Sequence, residues 1–207
     1  MLEHRLYLTL LQDDEIQFFS PNLGMDVYKK QKNKGFNVLA HQFVVNATIN
    51  GVSLDDFRRL AANISLHENV CRRIPGEKLE ILESNKVGDI YTLKRAYNLD
   101  VNIPDIAKKF LKDAFRLQRT DVSNLVVLSS EVRLDPNLPL EAVCQRSVSG
   151  NDEQIHFQLE WTVKVKVPLI GGMLEKHAEG EIRKFSQIEL DIVEDELRQN
   201  LHAETLS

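Results

Sequence analysis

Cysteine is scarce in this chain. Its 207 residues include only Cys71 and Cys144, far apart and in no metal-ligand spacing. Neither a disulfide framework nor a zinc site is written into the sequence, and two free thiols in a reducing compartment is the simplest reading. Long apolar runs are lacking as well: no segment approaches the ~18 residues of a membrane span. The first residues, Met1 to Gln12, form a short apolar run without a charged leading region. Asp13, Asp14 and Glu15 then stand where a signal peptide would carry small residues. A cytoplasmic protein without a leader is expected. There is no basic excess; the formal charge is -5 and the pI about 5.7, which argues against a nucleic-acid partner, because phosphate binding needs a basic face. Catalytic and metal signatures are missing too: no H-E-x-x-H, C-x-x-C, G-x-S-x-G or phosphate-binding loop. His4, His41, His67, His156, His177 and His202 show no ligand spacing. No metal and no cofactor are predicted.

What is present is pattern. From Ile155 to Val167 every odd position is apolar and every even one polar, the mark of a long strand with one wet and one dry face. Pro168 stops the alternation, Gly171 and Gly172 follow, and a helical pattern begins at Met173. Leu174, Ala178, Ile182, Phe185, Ile188 and Ile192 step by three or four, one apolar stripe on a helix expected over 172–200. Glu175 falls in its first turn, where the helix dipole favours a carboxylate.

Upstream, 1–36 reads as an extension rather than part of a domain. Ser20-Pro21-Asn22-Leu23-Gly24 is turn chemistry, and Lys29, Lys30, Lys32 and Lys34 crowd a polar run. A domain is expected over 38–200, with a short tail at 201–207. Residues 39 to 49 alternate as a first strand. Ser53 is a good N-cap for a short helix carrying Phe57 and Leu60, and a second short helix is expected over 65–74. Strands follow at 79–83 and 90–99, with Asn85 to Gly88 as a turn. Pro104 opens an amphipathic helix expected to run to 115, with Lys108, Lys109 and Lys112 on its polar side. Further strands are predicted at 116–122, 125–134 and 138–148, and a hairpin tip at Ser149 to Asp152 returns the chain into the long strand. A sheet with one dry face must be covered, and the long helix is the natural cover.

This order, and the junction Val165-Lys166-Val167-Pro168-Leu169-Ile170-Gly171-Gly172-Met173-Leu174-Glu175, resemble the START and birch-pollen-allergen-like (SRPBCC) superfamily. The junction is most similar to that of a bacterial family of unknown function, whose members carry a V-P-L-V/I-G-G-x-L/I-E turn. Ile103-Pro104-Asp105 resembles that family's mid-domain insertion. The resemblance implies an α+β helix-grip fold: a curved antiparallel sheet of about seven strands wrapped on the C-terminal helix, with two short helices after the first strand. It also implies an apolar cavity between helix and sheet, able to hold a lipid or other hydrophobic molecule.

On that footing the expected cavity wall is Phe43, Val45, Tyr91, Leu93, Trp161, Val163, Leu174, Ala178, Ile182 and Phe185, with Arg95 as polar anchor. Strand phase turns Arg95 and His41 inward. A buried arginine must find an anion, either a ligand's or an internal one such as Glu181 or Glu189, unless a bulge turns it out. His41 reads more simply as a satisfied histidine, and Trp161 serves equally as wall or core. His177 and Glu181 lie four apart on the last helix and approach one rim. The basic helix after Pro104 offers a transient membrane contact; a solvated lysine face is the plainer reading. Three functions remain open: a non-catalytic hydrophobic-ligand binder, a cyclase- or aromatase-like enzyme using His41, Arg95 or Glu181, and a solid-core interaction domain, for which a cavity below ~300 Å³ would speak.

Overall fold

The computed structural model describes residues 40–205 except Lys112; the extension expected over 1–36 lies outside them. Seven strands form one antiparallel sheet: β1 (His41–Asn50), β2 (Glu77–Val87), β3 (Ile90–Asn98), β4 (Leu117–Asn124), β5 (Ser129–Pro136), β6 (Leu140–Gly150) and β7 (Gln154–Val165). Their order is β1-β7-β6-β5-β4-β3-β2. Helices α1 (Leu54–Ala61) and α2 (Ile64–Arg73) follow β1, a single turn α3 (Asp105–Lys108) interrupts the connection from β3 to β4, and α4 (Gly171–Thr205) ends the fold. The helix-grip order is the one expected. No helix among the described residues is long and apolar enough to cross a membrane.

Strand alternation sets the core. On β7, Ile155, Phe157, Leu159, Trp161, Val163 and Val165 are all buried while the residues between them are exposed or half-buried. On β1 the inward positions are Phe43, Val45 and Ile49. The two strands pair in register, with Phe43 opposite Trp161 and their rings stacked at 6.5 Å between centroids. These residues other than Val165, with Leu190 and Leu197 of α4, belong to the main apolar cluster. Helix α1 starts where its cap predicts: the Ser53 hydroxyl accepts from the Asp56 N–H at 3.0 Å. The opposite edge, β2, is exposed along most of its length and bulged in two places, as unpaired edge strands commonly are.

Three expectations need correction. The helix expected from Pro104 to 115 is one turn only. Asn137, in the turn between β5 and β6, takes over the backbone beyond it: its side chain donates to the Ala114 carbonyl at 3.0 Å and accepts from the Arg116 N–H at 2.9 Å. Non-local hydrogen bonds thus override local helical preference, and no long basic amphipathic face forms. The last helix runs on to Thr205, into the expected tail, because Leu201 adds to the apolar cluster. Glu175 does not fall in the first turn of the last helix, which starts at Gly171 and has no acidic residue in that turn. It is buried, and its carboxylate accepts from the Val165 N–H at 2.9 Å, a donor lying beyond β1, whose pairing with β7 begins at His41 opposite Val163.

The junction also works differently from its sequence pattern. Neither glycine supplies a left-handed residue; Leu169 does, at φ 67°, with its side chain fully exposed. Gly171 is needed for close approach instead, since a Cβ there would lie 3.1 Å from the Val165 carbonyl oxygen. Gly172 has open space around it.

Candidate functional site

An open cavity of about 150 Å³ lies between the sheet and the N-terminal half of α4. Its floor is the inner face of five strands, among them Tyr97, Leu117, Leu134, Leu140, Trp161 and Val165. Its roof is one side of α4: Leu174, Ala178, Ile182 and Phe185, with His177 and Glu181. The third wall is the connection between β3 and β4, which lays Leu99, Val101, Ile103, Ala107, Phe110 and Phe115 along it. Ala107 is anchored there against Val165 and Leu174. Two side chains of α4 hold this connection at Asn102: His177 Nε2 contacts its carbonyl, and Glu181 accepts from its N–H at 3.4 Å.

The charged end of the cavity is Arg119 and Glu189. Arg119 donates twice to the Glu189 carboxylate, at 2.6 and 2.8 Å, and through Nε to Asp121 at 2.9 Å. Asp121 accepts on its other oxygen from Arg95 at 2.7 Å. Burial alone would raise the Asp121 carboxyl, but Arg119, Arg95 and Arg146 hold it down to about 2. Burial opposes the charge of Glu189 too, and the Arg119 guanidinium outweighs it and lowers that carboxyl. The result is a buried, charged cluster tying β3 and β4 to α4. It lies between the first cavity and a second of about 70 Å³, which Arg95, Asp121 and Arg146 border from the sheet, Leu66, His67 and Val70 from α2, and Glu189 from both sides.

Of the residues expected at a site, Trp161, Leu174, Ala178, Ile182 and Phe185 meet around the first cavity, and Tyr91, Leu93 and Arg95 border the second. Phe43, Val45 and Val163 belong to the packed cluster. Arg95 points inward and has an internal partner, Asp121, with Glu189 4.0 Å away. His41 pairs with Glu179 of α4 at 2.6 Å. Sequence reasoning missed Arg119 and Asp121, although β4 carries a signal: Leu117, Arg119, Asp121 and Ser123 alternate on the buried face, so the strand is polar on both sides. It missed the β3–β4 connection as a wall as well. The alternation of Leu99, Val101 and Ile103 before Pro104 marks an extended segment with one apolar side.

The charged groups and the histidine in the wall of the first cavity are engaged: Arg119 with Asp121 and Glu189, His177 and Glu181 with Asn102. Trp161 Nε1 is buried and has no acceptor among the described residues. Both thiols are buried, and burial pushes that of Cys144 up to about 12, so neither is a ready nucleophile.

Comparison with known proteins places this geometry in a family. Three solved structures share the fold at low identity. A Thermus thermophilus protein, TTHA0849, matches at 13% identity and TM-score 0.54 over 77% of this chain and 99% of its own. Ara h 8.0201 matches at 14% and 0.53, over 77% and 99%. The Zhui aromatase/cyclase of Streptomyces sp. R1128 matches at 12% and 0.52, over 78% and 96%. At such identities the likeness is one of fold alone. No curated protein sequence matches. The family model described as "Protein of unknown function (DUF2505)" matches residues 45–197, so the chain belongs to that family.

Proposed function

We propose that this domain binds a small hydrophobic molecule, or the apolar part of a larger one, in the cavity between the sheet and α4. The observation that carries the reading is the wall itself: aliphatic and aromatic side chains from five strands, one helix and the β3–β4 connection converge on open space, with the charged groups confined to one end and to Asn102. Desolvation of apolar surface supplies the affinity of such a site, and a few polar groups orient the ligand. Trp161, Leu174, Ala178, Ile182 and Phe185 are the proposed contacts from the sheet and α4, with Phe110 and Phe115 from the connection. Volume sets the scale. About 150 Å³ is below the ~300 Å³ of drug-sized sites, and an engineered apolar cavity of about 150 Å³ in another protein holds benzene. The expected occupant is a single ring or a short acyl segment, not a whole lipid.

The same volume favours a second reading, a packed interaction domain that binds nothing inside. A cyclase-like activity has less support, because catalysis needs an acid or base free to meet its substrate, and the carboxylates and the histidine of the wall are occupied by Arg119 or by the backbone.

Trp161 is the only tryptophan, so its emission reports on the cavity directly. Titration with short alkyl and aromatic ligands should quench or shift that emission saturably, and Ala178→Phe, which fills the cavity from the roof without adding a second tryptophan, should abolish the response while the fold persists. Protein from its native host should also release a bound apolar molecule on solvent extraction. An unchanging Trp161 emission together with empty extracts would favour the packed interaction domain.

A further inference from the structure

The second cavity is the other unexplained feature of the interior. It sits between α2 and the inner faces of β3, β4 and β6, on the far side of the ion cluster from the apolar cavity, and holds about 70 Å³. That is several waters' worth of space at ~10–15 Å³ each, enough for a carboxylate or phosphate group.

Its charge does not balance. The cluster contains three guanidiniums, Arg95, Arg119 and Arg146, and two carboxylates, Asp121 and Glu189. The charged side chains of α2 have partners of their own: Arg73 pairs with Glu196 and Asp195 of α4, and Glu68 stands 3.9 Å from Arg72 and accepts from Ser84. His67 adds no negative charge, and burial lowers its pKa, which keeps the ring neutral. One positive charge is therefore left in a setting where unpaired charge is costly.

The two arginines with donors to spare, Arg95 and Arg146, both line the second cavity. Arg119 spends its donors on Asp121 and Glu189. Arg95 does not: Nη1 reaches Asp121, Nη2 is 4.0 Å from Glu189, and Nε has no acceptor among the described residues although its side chain is only 2% exposed. Arg146 gives one bond, to the Ser130 hydroxyl at 3.0 Å, and otherwise stands 3.8 Å from Glu189. Ser130 in turn donates to Ser123 at 2.9 Å, leaving the Ser123 hydroxyl hydrogen free to point elsewhere. Two under-used guanidiniums and a serine hydroxyl bordering one small cavity are the donor set of an oxyanion site.

We infer that the second cavity binds a compact oxyanion, a short-chain carboxylate or inorganic phosphate, between Arg95 and Arg146 and beside Ser123. The bound anion neutralises the surplus guanidinium charge. This site is independent of the hydrophobic-ligand reading: it has its own walls, and its test does not use Trp161 emission.

The test compares thermal unfolding of the full chain in bis-tris chloride with added sodium phosphate, sodium butyrate or sodium chloride at matched ionic strength. Phosphate, butyrate or both should raise the midpoint saturably, by roughly 2–4 °C, while chloride does not; which of the two acts identifies the class of oxyanion. In nitrogen-15 spectra of the same protein, the slowly exchanging Arg95 Nε–H signal should shift along the same titration curve. Arg146→Gln, which removes the surplus charge, should abolish both responses, and the exposed Arg133→Gln should retain them. Equal midpoints in phosphate, butyrate and chloride, or an Arg95 signal that does not move, would overturn the inference. So would an Arg146→Gln protein that responds as the wild type does. The Arg95 signal needs no variant, so a folding failure of Arg146→Gln would leave the test standing.

Discussion

Helix α4 covers two kinds of floor. Under Leu174 to Phe185 the sheet presents Trp161, Leu117 and Leu140, and open space remains between them. Under Glu189 it presents Arg119, Asp121 and Arg95, and the contacts are hydrogen bonds of 2.6 to 2.9 Å. Apolar contacts are individually weak and non-directional, so an apolar interface tolerates a gap that a ligand can use. A buried ion cluster is less tolerant, because a charge left without a partner costs several kcal/mol unless something neutralises it. The charged region therefore fixes where α4 lies on the sheet, and the apolar region is free to remain hollow.

The sharpest way to break this contrast is at Glu189. Glu189→Ala strands the buried Arg119 guanidinium and should cost about 3–5 kcal/mol, measured as a lower urea midpoint at unchanged slope. Acid should attack the same place. Asp121 has its folded pKa depressed from 3.8 to about 2; its contribution is present in full above 3.8 and is lost as pH falls through about 2. The loss should reach about 2 kcal/mol, read from urea melts at pH 7, 4 and 2.5, and should be much reduced in Asp121→Asn. On the hollow side, Phe185→Ala should cost only about 1–2 kcal/mol, since the ring is half-buried and already borders empty space; if its cost equals that of Glu189→Ala, the two regions are not different in kind. Smallest of all, Leu169→Gly should raise the unfolding midpoint slightly, by no more than about 1 kcal/mol. It relieves a left-handed leucine, the side chain makes no buried contact to lose, and added chain entropy offsets part of the gain.

Much of the fold was legible because its determinants are local. Ile155 to Val165 alternates with period two, and that alone says which side chains go inward. Ser53 stops one strand's pattern and starts a helix, and the α4 stripe repeats every three or four residues. The inward direction of Arg95 followed from the same counting. Its partner did not: Asp121 is two residues from Arg119 in sequence yet meets Arg95 only because β3 pairs with β4 in one register. The length of α3 was illegible for a similar reason. Residues 109–115 suit a helix by composition, and Asn137, more than twenty residues away, decides otherwise.

By itself, then, the sequence determined the strand phases, the helix starts, the helix-grip order and the family of the chain, because periodicity, caps and the proline-glycine junction act over a few residues. Only the tertiary structure decided which inward residues pack, which pair as ions and which face open space. Those outcomes depend on strand register and on the seat of α4, where side chains far apart in the chain either touch or leave room.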